Sequence, residues 1–288
     1  MDYRYSLRKN GKKITCPSCG REGEFVPYVD ENNNVVDAEK YGRCERINSC
    51  GYIMYPKSKK GDDWKPTVKV QPPPRPTEYI SKEIVEKTFN NFQSNVFFMY
   101  LVTLFGRDKA FELQAAYNIG TANNGGTVYW QQDEMGRFRT GKVMYYQTNG
   151  RRDKARKSWF VHSKIREDFN YQQCFFGLHL VDGSKPVALC ESEKTAIIMS
   201  VYRPEYVWLA TGGSEMINGT RLLELKRLDA VFPDNGQFEK WTQKTRIFNR
   251  EMNFDVERAV ADGVLDAGSD ILDLYLLNKQ HDNNRENK

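Results

Sequence analysis

Apolar positions recur with helical spacing over residues 81–105 and 108–117, where Ile84, Val85, Phe89, Phe92, Phe97, Leu101 and Leu104 fall on a common face. Ser81 is placed to cap the first helix and Gly106 to break the run between the two. These side chains are assigned to a core. From Gly125 the pattern shortens to alternating stretches at 127–131, 136–140 and 142–146. Turn signals at Glu134-Met135-Gly136 and Thr148-Asn149-Gly150 separate them, which predicts a small antiparallel sheet. After Lys185, apolar runs at 187–190, 207–210 and 230–232 alternate with helical segments at about 192–202 and 218–226. Such alternation predicts an α/β domain with a mainly parallel sheet.

Between these patterned regions, residues 62–76 carry Pro66, Pro72, Pro73, Pro74 and Pro76, which favour an extended chain and remove backbone donors. The segment is read as a linker, and the polar stretch from Lys279 as a disordered tail. A chain of 288 residues with 39% hydrophobic and 13% aromatic content can build two or three packed units. No apolar run approaches the ~18 residues of a membrane helix, so no membrane partner is expected. Residues 1–13 are charged and lack an apolar core, so no secretory signal is expected and the cytoplasm is the assigned location.

The net charge of +5 is unevenly spread: residues 1–76 hold 15 Lys/Arg against 10 Asp/Glu, residues 77–185 hold 15 against 11, and residues 186–288 hold 13 against 17. A basic front and an acidic back suit a protein that draws in phosphate and holds divalent metal, although an ordinary charge mix gives the same sums.

Four of the six cysteines form Cys16-Pro17-Ser18-Cys19-Gly20 and Cys44-(five residues)-Cys50-Gly51. A Cys-x-x-Cys-Gly turn aims two thiolates at one point, and a second pair about 25 residues on completes a tetrahedron for structural Zn2+. The alternatives are two disulfides, for which a cytosolic chain has no need, and a redox pair, which leaves Cys44 and Cys50 unexplained. The gap between Cys44 and Cys50 is wider than the usual two to four residues, which makes Cys44 the weakest ligand assignment. Arg21, Arg43, Arg46, Phe25, Tyr41 and Tyr52 could present this module to DNA, and Cys174 and Cys190 are read as buried thiols.

Between positions 142 and 166 lie Lys142, Arg151, Arg152, Lys154, Arg156, Lys157, Lys164 and Arg166 against one acid, Asp153, interleaved with Tyr145, Tyr146, Trp159 and Phe160. Cations beside rings suit a single strand held without sequence reading; a solvated loop with aromatics in the core is the alternative. His162 is taken as structural. Further on, Glu191 closes an apolar run, and Asp234 follows another within Phe232-Pro233-Asp234-Asn235-Gly236. Glu193, Asp270 and Asp273 lie nearby in sequence or follow. Carboxylates at the carboxyl ends of neighbouring strands can share Mg2+.

The order of these pieces resembles the catalytic cores of bacterial and phage primases and their mobile-element relatives. Their Toprim (topoisomerase-primase) domain has a strand ending in Glu, a strand with a Gly-rich turn, and a strand ending in Asp-x-Asp. Here these look like residues 187–191, Leu209-Ala210-Thr211-Gly212-Gly213-Ser214, and Phe232-Pro233-Asp234. Arg137-Phe138-Arg139-Thr140-Gly141-Lys142, the stretch on to Trp159 and Phe175-Phe176-Gly177-Leu178 look like the family's basic hairpin and aromatic-Gly-Leu segment. The four-cysteine module is similar to the primase zinc ribbon, although many of those use Cys-x-x-His. The likeness covers about residues 14–56 and 125–275. It departs from the family at Gly236, which stands where the second Asp belongs, with Glu239 or Asp270 as candidate replacements. It also departs in having no segment for a helicase-binding domain after the Toprim part.

The fold class expected is therefore α+β and α/β multidomain: a zinc ribbon at 1–60, a linker at 61–77, a helical and basic β subdomain at 78–184, a Toprim-like domain at 185–278 and a tail at 279–288. The resemblance implies template-dependent nucleotidyl transfer on single-stranded DNA, by a stand-alone protein of a phage, plasmid or integrative element. Glu191, Asp234 and Asp270 are then the catalytic carboxylates, with Mg2+ or Mn2+ on Glu191 and Asp234. Arg137, Arg139, Lys142, Arg151, Arg152, Lys154, Arg156, Lys157, Trp159 and Lys164 would hold nucleic acid. Nucleotide triphosphates, and a helicase or other replication or transfer protein, would be partners. A catalytically weak or inactive single-stranded DNA-binding accessory protein is the alternative, and a Toprim nuclease a third.

Overall fold

The structure, a computed structural model, describes residues 5–47, 50–56 and 75–286. The chain divides into two compact units, Met1–Pro74 and Arg75–Lys288. The linker expected at 61–77 lies outside the described residues apart from its last three positions. Among the described residues no helix is long and apolar enough to cross a membrane.

The first unit is an antiparallel sheet of β1 (Ser6–Leu7), β2 (Phe25–Val29), β3 (Gly42–Cys44) and β4 (Ile53–Met54) in that order. Its core is small: Cys16, Phe25 and Cys44 are buried, with Ile14, Cys19, Cys50 and Tyr52 against them. Phe25 is fully buried, so this ring is core and cannot meet DNA as the sequence reading supposed.

In the second unit, the helix expected over 81–105 is two helices, α1 (Lys82–Glu86) and α2 (Val96–Phe105), with a 3-10 turn at Phe92–Ser94. Asn91 takes a left-handed conformation and Asn95 caps α2 by accepting from the Phe98 amide at 3.1 Å. Two short-range signals of asparagine thus override a continuous apolar face. Helix α3 (Arg107–Tyr117) follows Gly106 as expected. Strands β5 (Ile119–Thr121), β6 (Thr127–Gln132), β7 (Phe138–Met144) and β8 (Trp159–Phe160) form an antiparallel sheet in sequence order. Two short strands were expected where β7 runs unbroken, because Gly141 pairs with Trp130 across the ladder and its missing side chain makes room for the Trp130 ring.

After the short helix α4 (His162–Ile165) comes a second sheet, parallel throughout, of β9 (Val187–Cys190), β10 (Val207–Ala210), β11 (Ala230–Val231) and β12 (Glu251–Met252). Its order is β10-β9-β11-β12, so β9 is central. Every residue of β9 is buried, as befits a strand covered on both faces. Helices α5 (Glu193–Tyr202), α6 (Gly219–Leu222), α7 (Phe238–Lys244), α8 (Asp255–Ala261) and α9 (Ile271–Glu286) complete the unit. Helix α9 continues to Glu286 where a disordered tail from Lys279 was expected; its first turn is anchored by buried Ile271 and Leu272. The boundary expected at 184/185 does not divide the unit, because Phe97, Tyr129 and Phe176 share one core with Ala188, Ile197 and Trp208.

Candidate metal and nucleic-acid site

Four thiols converge in the first unit. Ligand atoms of Cys16, Cys19, Cys44 and Cys50 all lie within 4.8 Å of one another, and Cys16 and Cys50 Sγ are 3.8 Å apart. Four sulfurs at ~2.3 Å from a tetrahedral zinc stand ~3.8 Å apart, so the observed spacing fits the ion. All six cysteines are unbridged, which sets aside the disulfide reading. The Arg21 backbone amide draws the Cys19 thiol down to about 7, while burial pushes Cys44 up to about 12. A bound Zn2+ would deprotonate both. Cys44, the weakest assignment from spacing, belongs to the cluster, because β3 ends on it and its amide bonds the Tyr52 carbonyl at 2.8 Å.

Because β9, β10 and β11 are parallel, whatever follows each strand emerges at one edge. Glu191 follows β9, Thr211-Gly212-Gly213 follows β10, and Asp234 comes three residues after β11. The Glu191 carboxylate accepts the Ser214 amide from the turn beside it. Asp270 stands at the N-terminal end of α9 and accepts the Thr195 hydroxyl at 2.5 Å. Burial, then the charges of Asp270, Glu191 and Asp273, push the Asp234 carboxyl up to about 9; burial likewise raises Glu191. Among the described residues only the cysteines bring three or more ligand atoms within 4.8 Å. The carboxylates are therefore set wider than the thiols. An all-oxygen donor set of this kind suits a hard divalent cation that keeps several of its waters, and Glu191, Asp234 and Asp270 are the residues that would hold one.

The loop after Asp234 is tied down by a residue the sequence reading missed. Glu257 on α8 accepts the Gly236 amide and the Asn235 side-chain amide, both at 2.7 Å. Gly236 has φ +81°, a left-handed conformation that costs a side chain roughly 1–2 kcal/mol. A carboxylate from another helix thus braces this loop. Glu239 lies in the first turn of α7.

Lys142 was expected at a nucleic-acid surface. It is instead turned inward, with its ammonium 3.0 Å from Glu193 and 2.7 Å from the Gly212 carbonyl. Glu193 is 2% exposed, so this is an internal ion pair whose positive charge also acts on Glu191. Gly212 has φ +79°, and a Cβ there would stand 2.9 Å from the Glu193 carboxylate. Arg139 is likewise buried, with Nε 2.8 Å from Asp133 and a further contact to Glu224, so it is structural and not a phosphate contact. Arg137 pairs with Asp133 at 2.9 Å and lies over the Tyr79 ring. A central strand position between buried neighbours was the signal for burial that the count of cations hid.

The rest of the basic stretch divides. Arg151, Arg152, Lys154, Arg156, Lys157 and Lys164 are exposed. Arg156 lies over Tyr145, 3.6 Å from the ring centroid, and bonds the Asn124 carbonyl. Tyr145 and Tyr146 are buried, and half-buried Trp159 donates its indole N–H to the Tyr145 hydroxyl at 3.0 Å, so these rings are core and not a stacking platform. His162 is buried, 2.7 Å from the Thr140 hydroxyl and stacked on Tyr171, in line with a structural role. Cys174 and Cys190 are buried thiols as expected.

Fold and site together define a four-thiol ribbon module and a mixed α/β unit whose parallel sheet carries carboxylates at its carboxyl edge. The zinc beta-ribbon finger family matches residues 3–64, and a domain of unknown function, DUF6371, matches residues 95–235. No curated protein matches the chain. Among solved structures it is similar to the primase fragment of the bacteriophage T7 primase-helicase protein, at 15% identity and TM-score 0.41, covering 88% of this chain and 96% of that one. It is also similar to a bacteriophage T7 lagging-strand DNA polymerase complex with primase domains bound to an RNA/DNA hybrid and dTTP. There the identity is 14% and the TM-score 0.34, over 55% of this chain and 87% of that one. A DNA primase domain from Pseudomonas aeruginosa matches at 15% identity and TM-score 0.29, over 58% and 55%.

Proposed function

We propose that this protein is a primase-type nucleotidyltransferase that works on single-stranded DNA, with a Toprim-like site made by Glu191, Asp234 and Asp270. The observation that carries the reading is the placement of Glu191 and Asp234 after neighbouring parallel strands, close enough to Asp270 that burial and mutual repulsion raise the Asp234 carboxyl. Mg2+ or Mn2+ bound there would stabilise the charge that develops as a 3′-hydroxyl attacks the α-phosphate of a nucleotide triphosphate and pyrophosphate leaves. The chain's own residues set the stage. Gly212 and Glu193 fix Lys142 beside the carboxylate edge, the Ser214 amide orients Glu191, and Glu257 braces the Asp234 loop. Radiolabelled nucleotide incorporation on single-stranded templates, dependent on Mn2+ and lost in Asp234→Asn, tests the reading.

The exposed cations supply the grip on the template. Neutral replacement of Arg151, Arg152, Arg156 and Lys157 together is expected to weaken single-stranded DNA binding and to reduce the slope of log K against log salt by up to ~3, at ~0.7 per lost phosphate contact. An unchanged affinity and slope in a salt titration by fluorescence anisotropy would show that this surface does not hold the template. Gly236 favours a second reading, an accessory protein that binds single-stranded DNA without chemistry, since it leaves the loop with one carboxylate where the family has two.

A further inference from the structure

We infer that Thr195 is a positioning residue that holds Asp270 in place for the divalent cation, so that one strand-to-helix connection governs two ligands at once. The inference rests on the site reading proposed above. Glu191, immediately after β9, serves the cation directly, and Thr195, in the first turn of α5, serves it through Asp270.

Thr195 is 1% exposed and Asp270 9% exposed. The Thr195 hydroxyl donates to Asp270 Oδ2 at 2.5 Å, a short contact between a hydroxyl and a carboxylate oxygen. Asp270 Oδ1 accepts the Asp273 amide at 3.0 Å, and Asp273 Oδ2 returns the bond to the Asp270 amide at 3.0 Å. The Asp270 carboxylate is therefore clamped on both oxygens from two directions, by the start of its own helix and by α5. Each oxygen keeps a lone pair for a further partner.

Helix α5 has no use of its own for this hydroxyl. Threonine near a helix start commonly bonds the backbone of its own helix, whereas this one reaches a residue 75 positions away. Ala196, Ile197, Ile198 and Met199, which follow it, are fully buried and apolar, so a lone hydroxyl among them has to be satisfied, and Asp270 is what satisfies it. Asp270 gains by the same bond a fixed orientation. Residues that orient metal ligands in this way are worth roughly 10–100-fold in affinity.

The test uses the full chain with zinc loaded, and reads Mn2+ binding by electron paramagnetic resonance together with the thermal midpoint of the metal-free protein. Thr195→Val is expected to weaken Mn2+ about 10-fold, Thr195→Ser to restore nearly all of it, and Thr195→Val on an Asp270→Asn background to cause no further loss. Should the valine variant fail to fold, Thr195→Ala removes the same hydroxyl with less bulk. Wild-type protein that binds Mn2+, with the valine or alanine variant equal to it in affinity, overturns the positioning role alone. Wild-type protein that binds no Mn2+ overturns the site reading and this inference with it.

Discussion

Cys16→Ser is expected to empty the thiol site and unfold the first unit while the second stays folded. The buried cluster there amounts to Cys16, Phe25 and Cys44, two of them ligands, with Tyr28 and Val29 buried besides. A sheet of four short strands cannot offset its chain entropy with so few buried side chains. The difference comes from the metal, whose binding in small zinc units is worth about 10–16 kcal/mol. Serine offers a harder oxygen at a site built for sulfur. Purified variant should contain far less than one zinc per chain by mass spectrometry, and amide signals of residues 5–56 should collapse in an NMR spectrum. Those of residues 75–286 should persist, because the two units are separately compact. A full zinc complement with an unchanged spectrum would contradict this.

Asp234→Asn should stabilise the zinc-loaded protein in the absence of Mn2+ and destroy its divalent-metal response. The folded Asp234 carboxyl lies near 9, well above its value of about 4 in an unfolded chain. Between those values the folded state binds more protons than the unfolded state, so the contribution to stability is negative. It grows as pH rises, by up to about 1.4 kcal/mol for each step of one in pH. The window is pH 7 to 9, read with zinc loaded, because a free Cys19 thiol, drawn down to about 7, would titrate there with the opposite sign. His162 and His179, both lowered by burial, have opposite pH dependence but exert it below their unfolded value of about 6.5. Calorimetry of zinc-loaded wild type without added Mn2+ should therefore show a midpoint that falls from pH 7 to 9, a fall that Mn2+ reverses. The asparagine variant should have a higher, flatter midpoint that Mn2+ leaves alone. A wild-type midpoint flat across that window would show that the carboxylates do not burden the fold.

How much of this could be read from the chain depended on whether the cue was local. Strands β9 and β10 match their expected ranges, since unbroken apolar runs with β-branched residues and the Glu191-Ser192 and Thr211-Gly212 breaks state both identity and limits. The parallel arrangement followed from strand and helix alternation, and with it the gathering of Glu191 and Asp234. The split of the first helix at Asn91 and Asn95 was equally local and was overridden by periodicity. What no local pattern stated was pairing across distance. Lys142 and Glu193 are 51 positions apart, and each alone resembles a surface charge. Tyr145 and Tyr146 looked like stacking rings because burial depends on what the other sheet presents to them. Glu257 and Thr195 act through loops and helices that only the folded chain brings near Asp234 and Asp270. The one hint was a threonine directly before the apolar run Ala196-Ile197-Ile198-Met199.

Mn2+-dependent primer synthesis on single-stranded DNA, measured side by side for wild type and Glu191→Gln with template binding recorded for both, tests most directly whether Glu191, Asp234 and Asp270 make a divalent site for nucleotidyl transfer. Weak synthesis is predicted for wild type, since the loop after Asp234 offers Gly236 and no second carboxylate beside it. No synthesis is predicted for Glu191→Gln, with DNA binding unaltered because the exposed cations are untouched. Wild-type protein that binds the templates as well as the variant does, yet makes no product with either Mg2+ or Mn2+, would contradict the claim and leave a DNA-binding protein without chemistry.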